Sequence, residues 1–170
     1  MAVEYLDPNE NVNAVWTTNS YTFIDDGIRQ PTAPNTGTDE TIIAYDADDY
    51  EKQSYSMSNL SGSYSEITEI KVWLYAHSNH SVGLDLNVSI TVGGVEETAI
   101  LISPYTTYIW YSVTFSGSWT QAEADALIIN FETVAVAKGF YIDIGATYAE
   151  VTAIEGGSQI NSNLSLFAKQ

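Results

Sequence analysis

The sequence contains no cysteine, and this absence excludes several kinds of site at once. A chain without thiols has no disulfide, no thiolate metal ligand and no cysteine nucleophile, although an oxidising compartment is still allowed. Basic residues are also scarce, because five Lys and Arg stand against 22 Asp and Glu and are scattered along the chain. Nucleic-acid phosphate is bound by clustered basic side chains, so we expect no nucleic-acid partner.

Long apolar runs are lacking as well. No run approaches the roughly 20 residues that a helix needs to cross a bilayer. The first residues also show neither the basic nor the apolar region of a signal peptide. We therefore expect a protein that is made in the cytoplasm without a leader and does not bind membranes. Its net charge of −17 suits a protein kept soluble at high local density or in saline water.

The clearest structural signal is the stretch Ile67 to His77, in which side chains alternate with a period of two. Such alternation is typical of a strand with one face on a core. Ile70, Val72, Leu74 and Ala76 form the apolar face, and the opposite face carries Glu69, Lys71, Trp73 and Tyr75. Further strands are predicted near Val3–Leu6, Ala14–Thr17, Tyr21–Ile24, Thr41–Tyr45, Tyr50–Met57, Leu84–Val92, Val95–Ile102, Tyr108–Phe115 and Leu127–Glu132, and from Gly139 to Ile154.

Turn signals separate these strands. Asp7-Pro8-Asn9 has turn chemistry, Gly93-Gly94 predicts a tight hairpin, and Ser116-Gly117-Ser118 is expected to end a strand. Thr120 and Glu123 have the spacing of a capping box, which predicts a short helical turn near residues 121–126. Many short strands and one helical turn predict an all-β protein, an antiparallel two-sheet sandwich of about eight strands.

The pattern also divides the chain. We expect an N-terminal arm with the first strands over residues 1–20, a β-sandwich domain over 21–155 and a C-terminal tail over 156–170. In the last long strand, alternation places Ile142, Ile144 and Tyr148 on one face and Tyr141 and Asp143 on the other.

No catalytic or metal constellation stands out. Loop carboxylates could hold calcium, which prefers oxygen ligands, but solvated turn residues are the simpler interpretation; the candidates are Asp25, Asp26, Asp46, Asp48 and Asp49. His77 and His80 lie near Asp85 in an expected loop without a convincing third zinc ligand. We therefore expect no metal, no cofactor and no enzymatic activity.

Four aromatic residues are expected to point away from the core strand faces: Trp73, Tyr75, Tyr108 and Trp110. Flat rings on a sheet face can stack on sugars, and they are also common in protein–protein interfaces. Alternatively they lie under loops or in a second half of the core. The apolar residues of the two ends are candidates for contacts between subunits: Val3, Tyr5, Leu6, Leu164, Leu166 and Phe167.

A set of spaced residues resembles a known family. The pattern runs from Trp16 through Tyr21–Asp26 and the strand ending at Trp73, and then continues through Tyr105–Tyr108, Ser118-Trp119-Thr120 and Ala124–Leu127 to Val151. It is similar to the jelly-roll modules of virion proteins of tailed phages and related viruses, which serve in capsid decoration or in tail fibres.

The resemblance implies a non-enzymatic structural protein of a virion, located in the particle and made in the host cytoplasm. The expected role is that of a capsid decoration or head-surface subunit, a homo-oligomer with a trimer favoured, whose partners are the major capsid protein or other virion proteins. One alternative is a carbohydrate- or receptor-binding β-sandwich module, free or on a tail fibre, and a glycan is then the partner. A second alternative is a filament subunit joined by strand donation.

Overall fold

The computed structural model describes residues 1–13, 52–80, 84–134 and 141–156, together with the backbone of residues 42–45. In this part of the chain, eleven strands and one short helix are formed. They are β1 (Ala2–Leu6), β2 (Pro8–Asn13), β3 (Ile42–Tyr45), β4 (Lys52–Met57), β5 (Tyr64–Ser78), β6 (Asp85–Val92), β7 (Val95–Glu96), β8 (Ile100–Ile102), β9 (Ile109–Trp119), α1 (Gln121–Ala124), β10 (Ile128–Val134) and β11 (Tyr141–Glu155).

The strands form two sheets, and every pair of neighbouring strands is antiparallel. The front sheet has the order β1-β11-β5-β9, with β3 also paired to β11. The back sheet has the order β2-β4-β10-β6-β7, with β8 also paired to β6. The prediction of an all-β, two-sheet antiparallel sandwich is therefore confirmed.

The core lies between the two sheets, and β5 supplies its centre. Val72 and Leu74 of β5 are fully buried, as are Tyr55 and Phe131 on the back sheet. Their neighbours along β5, from Glu69 to Tyr75, alternate outward as predicted. Burying a Leu side chain of this kind contributes roughly 1.5–3 kcal/mol, so the alternation in β5 sets which way the front sheet faces.

Residues 2–13 pair with strands of both sheets. β1 pairs with β11 in the front sheet, and β2 pairs with β4 in the back sheet. Only Asp7 links them, and its carbonyl accepts from Ser58 N at 2.8 Å. The predicted turn over Asp7-Pro8-Asn9 is therefore wrong for Pro8 and Asn9, which belong to β2. Pro8 begins β2, a position where a strand tolerates its missing N–H.

The hairpin prediction at Gly93-Gly94 is confirmed, since both glycines have positive φ, 58° and 78°. The strand that returns is shorter than predicted. It breaks after Glu96 and resumes as β8, so the predicted strand Val95–Ile102 is two short pieces paired to different parts of β6.

β9 continues through the predicted break at Ser116-Gly117-Ser118. The ladder with β5 is shifted between Ile67 and Glu69, and pairing resumes at Trp119 opposite Ile67. A Cβ on Gly117 would lie 2.4 Å from the Trp119 ring, so this ring folds back over the glycine. Gly117 therefore serves close packing within a strand, and the prediction that it ends the strand is wrong.

The short helix confirms the capping box. Thr120 Oγ1 accepts from Glu123 N, and the Glu123 carboxylate accepts from Thr120 N at 2.8 Å. Two predicted strands, Ala14–Thr17 and Tyr21–Ile24, lie outside the described residues, as does nearly all of the predicted tail. Across the described ranges, no helix has the length and apolar character that spanning a membrane requires.

Candidate functional site: an aromatic face on the front sheet

The outward side of β5 carries three rings in a row. Trp73, Tyr75 and His77 alternate with the buried residues Leu74 and Ala76, so they point away from the core. β9 lies beside β5 and places Trp110 opposite Tyr75. Strand alternation alone accounts for these positions, because outward residues on neighbouring strands share one face.

A bulge in β11 adds a further ring. Ile142 and Ile144 point into the core, whereas beyond the irregularity between Ile144 and Ala146 the inward residues are Ala149 and Val151. The extra residue shifts the alternation by one. Tyr148 therefore points outward, opposite Trp73. The predicted placement of Tyr148 on the same face as Ile142 is wrong for this reason.

These residues form one contiguous surface, which we call the aromatic face. Tyr75 stacks on Tyr108 with ring centroids 5.2 Å apart and packs against Trp110 at 5.3 Å. Tyr148 then links Trp110, at 5.7 Å, to Trp73, at 6.1 Å. Within the described residues, the face consists of Tyr5, Trp73, Tyr75, His77, Tyr108, Trp110, Tyr141 and Tyr148.

The rings differ in their exposure. Tyr148 is only 2% exposed because Tyr5, Trp73 and Trp110 surround it. Tyr5 is 51% exposed at the edge strand, and the rings of β5 and β9 are half-buried. Tyr148 therefore acts as a buried support that holds the neighbouring rings in place, and these rings form the accessible surface.

Carboxylates fix the rings from two sides. Trp73 Nε1 donates to Glu150 Oε2 at 2.8 Å, and the Tyr108 hydroxyl donates to Asp143 Oδ2. Burial, followed by the hydrogen bond to Asp143, raises the pKa of Tyr108 well above its usual value. The phenol therefore stays protonated at neutral pH and keeps its role as donor.

His77 adds a ring that is uncharged at neutral pH. It stacks on Tyr108 with centroids 4.1 Å apart, and its Nδ1 lies 3.9 Å from Asp143 Oδ2. Burial lowers the pKa of His77 below 6.5, and this effect exceeds the opposing attraction of Asp143. The lowered pKa favours the neutral imidazole at pH 7. The contact between His77 and Asp143 is therefore not an ion pair at that pH.

One cation lies at the rim. Lys71 Nζ is 3.9 Å from both Glu69 and Glu150, and 5.7 Å from the centre of the Trp73 ring. The ammonium group is thus shared between two carboxylates. Pairs this far apart and partly exposed to solvent contribute little to stability.

All four predicted outward aromatics, Trp73, Tyr75, Tyr108 and Trp110, meet on this face and none lies between the sheets. Sequence reasoning considered His77 only as a possible zinc ligand in a loop, whereas it lies in β5 beside the rings. It placed Tyr148 and Asp143 in the last strand but assigned neither of them to a site. Gly145 inside the strand pattern is the signal that could have revealed the bulge and hence Tyr148.

Among the predicted subunit contacts, Tyr5 lies at the edge of the aromatic face. Val3 and Tyr5 are about half exposed, at 49% and 51%, whereas Leu6 is 1% exposed and belongs to the protein's own core. Leu6 is therefore not available as a subunit contact. The other predicted contacts Leu164, Leu166 and Phe167, and the calcium candidates Asp25, Asp26, Asp46, Asp48 and Asp49, lie outside the described residues.

His80 and Asp85 are not gathered with His77 into a metal site. Asp85 accepts from the Ser103 hydroxyl. No group of three metal-binding side chains occurs in the described ranges. No pocket is found among the described residues either.

No family model and no curated protein matches this chain. Among solved structures, the lectin-binding domain of lectinolysin complexed with Lewis b has a TM-score of 0.47 at 12% identity, over 89% of this chain and 92% of that one. A carbohydrate-binding module titled BiXyn10A CBM1 has a TM-score of 0.48 at 14% identity, over 88% and 96%. The family 32 module of C. perfringens NanJ in complex with galactose has 0.44 at 14%, over 88% and 92%. Similarity at this level carries no information about what this chain binds.

Proposed function

We propose that this chain is a non-catalytic carbohydrate-binding β-sandwich and that the aromatic face is its glycan-binding surface. The observation that carries the proposal is the contiguous set of rings on the outer side of the front sheet. Outward positions of an antiparallel sheet are normally polar. Here Trp73, Tyr75 and Trp110 occupy such positions, and the buried Tyr148 packs against both tryptophan rings.

The chemistry of the face suits a sugar. A pyranose ring has an apolar C–H side that can pack on an aromatic ring, and hydroxyl groups around its edge that need hydrogen-bond partners. Glu150 and Asp143 lie beside the rings and accept from Trp73 and Tyr108. Glu150 is partly exposed and has lone pairs enough to accept from a sugar hydroxyl as well, whereas Asp143 is buried and serves to orient Tyr108.

The charge of the face favours uncharged glycans. Asp143 and Glu150 accept hydrogen bonds from the rings, and Lys71, which lies near Glu69 and Glu150, is the one basic side chain over a ring within the described ranges. His77 is neutral at pH 7 because burial lowers its pKa. A sulfated, sialylated or uronic glycan would therefore meet a surface of its own charge.

The test is a glycan microarray of neutral and anionic oligosaccharides, followed by titration calorimetry with each glycan retained. Trp110→Ala removes a central ring that contacts both Tyr75 and Tyr148, so we expect at least a tenfold loss of affinity. The matched control is Tyr105→Ala, which removes a 65% exposed ring outside the aromatic face and should bind like the natural chain.

Two outcomes would contradict the proposal. One is an array on which no glycan is retained. The other is binding that Trp110→Ala leaves unchanged while its thermal unfolding shows a folded protein. The virion role that the sequence resemblance implies stays a prediction, because no contact among the described residues bears on it.

A further inference from the structure

The rings of the aromatic face follow a diagonal across the four main strands of the front sheet. Taking positions along β5 as the reference, β1 contributes Tyr5 level with residue 71, and β11 contributes Tyr148 level with residue 73. β9 contributes Trp110 level with residue 75. Each ring from one edge of the sheet to the other therefore lies further along the strand direction than the ring before it.

Neighbouring rings on this diagonal are in contact. Their centroids are 5.9 Å apart from Tyr5 to Tyr148 and 5.7 Å apart from Tyr148 to Trp110. The path continues from Trp110 to Tyr75 at 5.3 Å and from Tyr75 to Tyr108 at 5.2 Å. Each step is comparable with the width of one pyranose ring, so a single sugar unit cannot cover the path from Tyr5 to Tyr108.

Small polar side chains lie along one flank of the diagonal. Ser112 and Thr114 of β9 are exposed and point outward, since Val113 between them is buried in the core. Ser112 lies opposite Trp73, and Thr114 lies opposite Lys71. These side chains supply hydroxyl groups and an ammonium group, which can form hydrogen bonds with successive hydroxyl groups of a glycan that lies on the rings.

Tyr5 marks the far end of the diagonal. It is 51% exposed, whereas the other rings of the face are half-buried or buried. A sugar unit placed on Tyr5 would remove apolar surface of this ring from water, and such removal is favourable. A ligand that covers only the half-buried rings at the other end, Tyr75 and Tyr108, would leave Tyr5 untouched.

We propose that the aromatic face binds an internal stretch of a linear glycan, several sugar units long, which runs along this diagonal and contacts Tyr5 with its last bound unit. The inference rests on the proposed glycan-binding function and adds the class of ligand, a chain in place of a single terminal sugar. Units of one chain are already linked. Each further unit that reaches another ring therefore adds contact without a second loss of overall freedom.

The test is titration calorimetry on the full-length chain with size series of uncharged linear oligosaccharides. The probes are gluco-, xylo- and manno-oligosaccharides, each from the monosaccharide to the hexasaccharide, together with any glycan retained on the microarray. We expect the affinity to rise with chain length and to level off once the chain reaches from Tyr108 to Tyr5.

Tyr5→Ala should lower the affinity for the longest oligosaccharide about fivefold and leave that for the shortest bound one unchanged. Trp110→Ala should weaken the binding of both. Tyr5→Leu keeps an apolar side chain against Tyr148 but removes the flat ring, so it should behave like Tyr5→Ala. The matched control is Val3→Ala, because Val3 is 49% exposed on the same strand and lies opposite Thr152, outside the diagonal.

Three results would overturn this inference while the proposed function stands. The first is an affinity that does not depend on chain length, or binding confined to branched glycans. The second is equal binding of the longest oligosaccharide by Tyr5→Ala and Val3→Ala, which would place the glycan along β5 instead. The third is full affinity in Tyr5→Leu, which would show that Tyr5 only supports Tyr148. If no glycan binds at all, the proposed function fails and this inference fails with it.

Discussion

At the scale of single residues, Glu4 shows how one carboxylate ties an edge strand to the sandwich. It accepts from the backbone N–H groups of Ser61 at 2.8 Å and Gly62 at 2.7 Å, and from the Tyr64 hydroxyl. Burial alone would raise the pKa of Glu4, but these hydrogen bonds outweigh it and hold the pKa below 4.5. The same bond to Glu4 raises the pKa of Tyr64 to about 12.

We predict that Glu4→Gln lowers the free energy of unfolding by about 1 kcal/mol at pH 7, a value kept small by solvent exposure. Because the folded pKa is depressed, the contribution of Glu4 is fully present above pH 4.5 and is lost as the pH falls through the folded value. Urea unfolding of both chains from neutral to acidic pH measures this difference.

The control is Glu10→Gln, which makes the same change of charge at an exposed position in β2. Equal stabilities of Glu4→Gln and the control at pH 7 would show that the hydrogen bonds to Glu4 contribute nothing. The difference in unfolding free energy between Glu4→Gln and the natural chain should become smaller below pH 4.5. A difference that stays constant there would contradict the predicted link between the Glu4 pKa and stability.

At the scale of elements, the hairpin between β6 and β7 packs against the helix α1. A Cβ on Gly93 would lie 2.9 Å from Glu123 Cγ, whereas a Cβ on Gly94 meets no atom within 4 Å. Glu123 has little freedom to move aside, because the capping box with Thr120 holds its carboxylate. Two adjacent glycines thus share a positive φ but differ in their surroundings.

We predict that Gly93→Ala and Gly94→Ala each destabilise the protein by about 1–2 kcal/mol, because alanine is strained at positive φ. Gly93→Ala should be the more damaging of the two, since it also displaces Glu123. Thermal unfolding of the two variants side by side measures the difference. Equal decreases in stability for the two variants would show that the close approach of Gly93 to Glu123 does not affect stability.

At the scale of the whole molecule, the acidic charge determines what the proposed glycan-binding surface is expected to select. A chain with 22 acidic and five basic residues is surrounded by a negative potential, and the aromatic face lies within it. Salt screens such a potential beyond about 8–10 Å at moderate ionic strength. Discrimination against anionic glycans should therefore depend on salt, whereas ring stacking should not.

We predict that an uncharged oligosaccharide retained on the array binds more tightly than its sulfated counterpart at low salt. The difference in affinity between the two glycans should decrease as salt is added. Glu150→Gln removes one negative charge and should also reduce this difference in affinity, while the amide oxygen of the new side chain still accepts from Trp73 Nε1. Glu10→Gln, on the other sheet, is the control of equal charge. A preference for the sulfated form would contradict the predicted selectivity while leaving the proposed function intact.

Much of the architecture is local enough to be predicted from the sequence. The alternation in β5, the positive φ of Gly93 and Gly94, and the capping box of Thr120 and Glu123 each depend on residues close together in the chain. The outward direction of Trp73 and Tyr75 follows from the same alternation.

The sequence by itself therefore determined the two-sheet sandwich and the four rings that face outward, because strand alternation and turn chemistry act over a few residues. Only the tertiary structure decided that β11 lies between β1 and β5, that the bulge near Gly145 turns Tyr148 outward, and that Glu150 accepts a hydrogen bond from Trp73. Those outcomes depend on register between strands far apart in the chain, such as Trp73 and Glu150, which are separated by 77 residues. This register is selected by packing of the whole core.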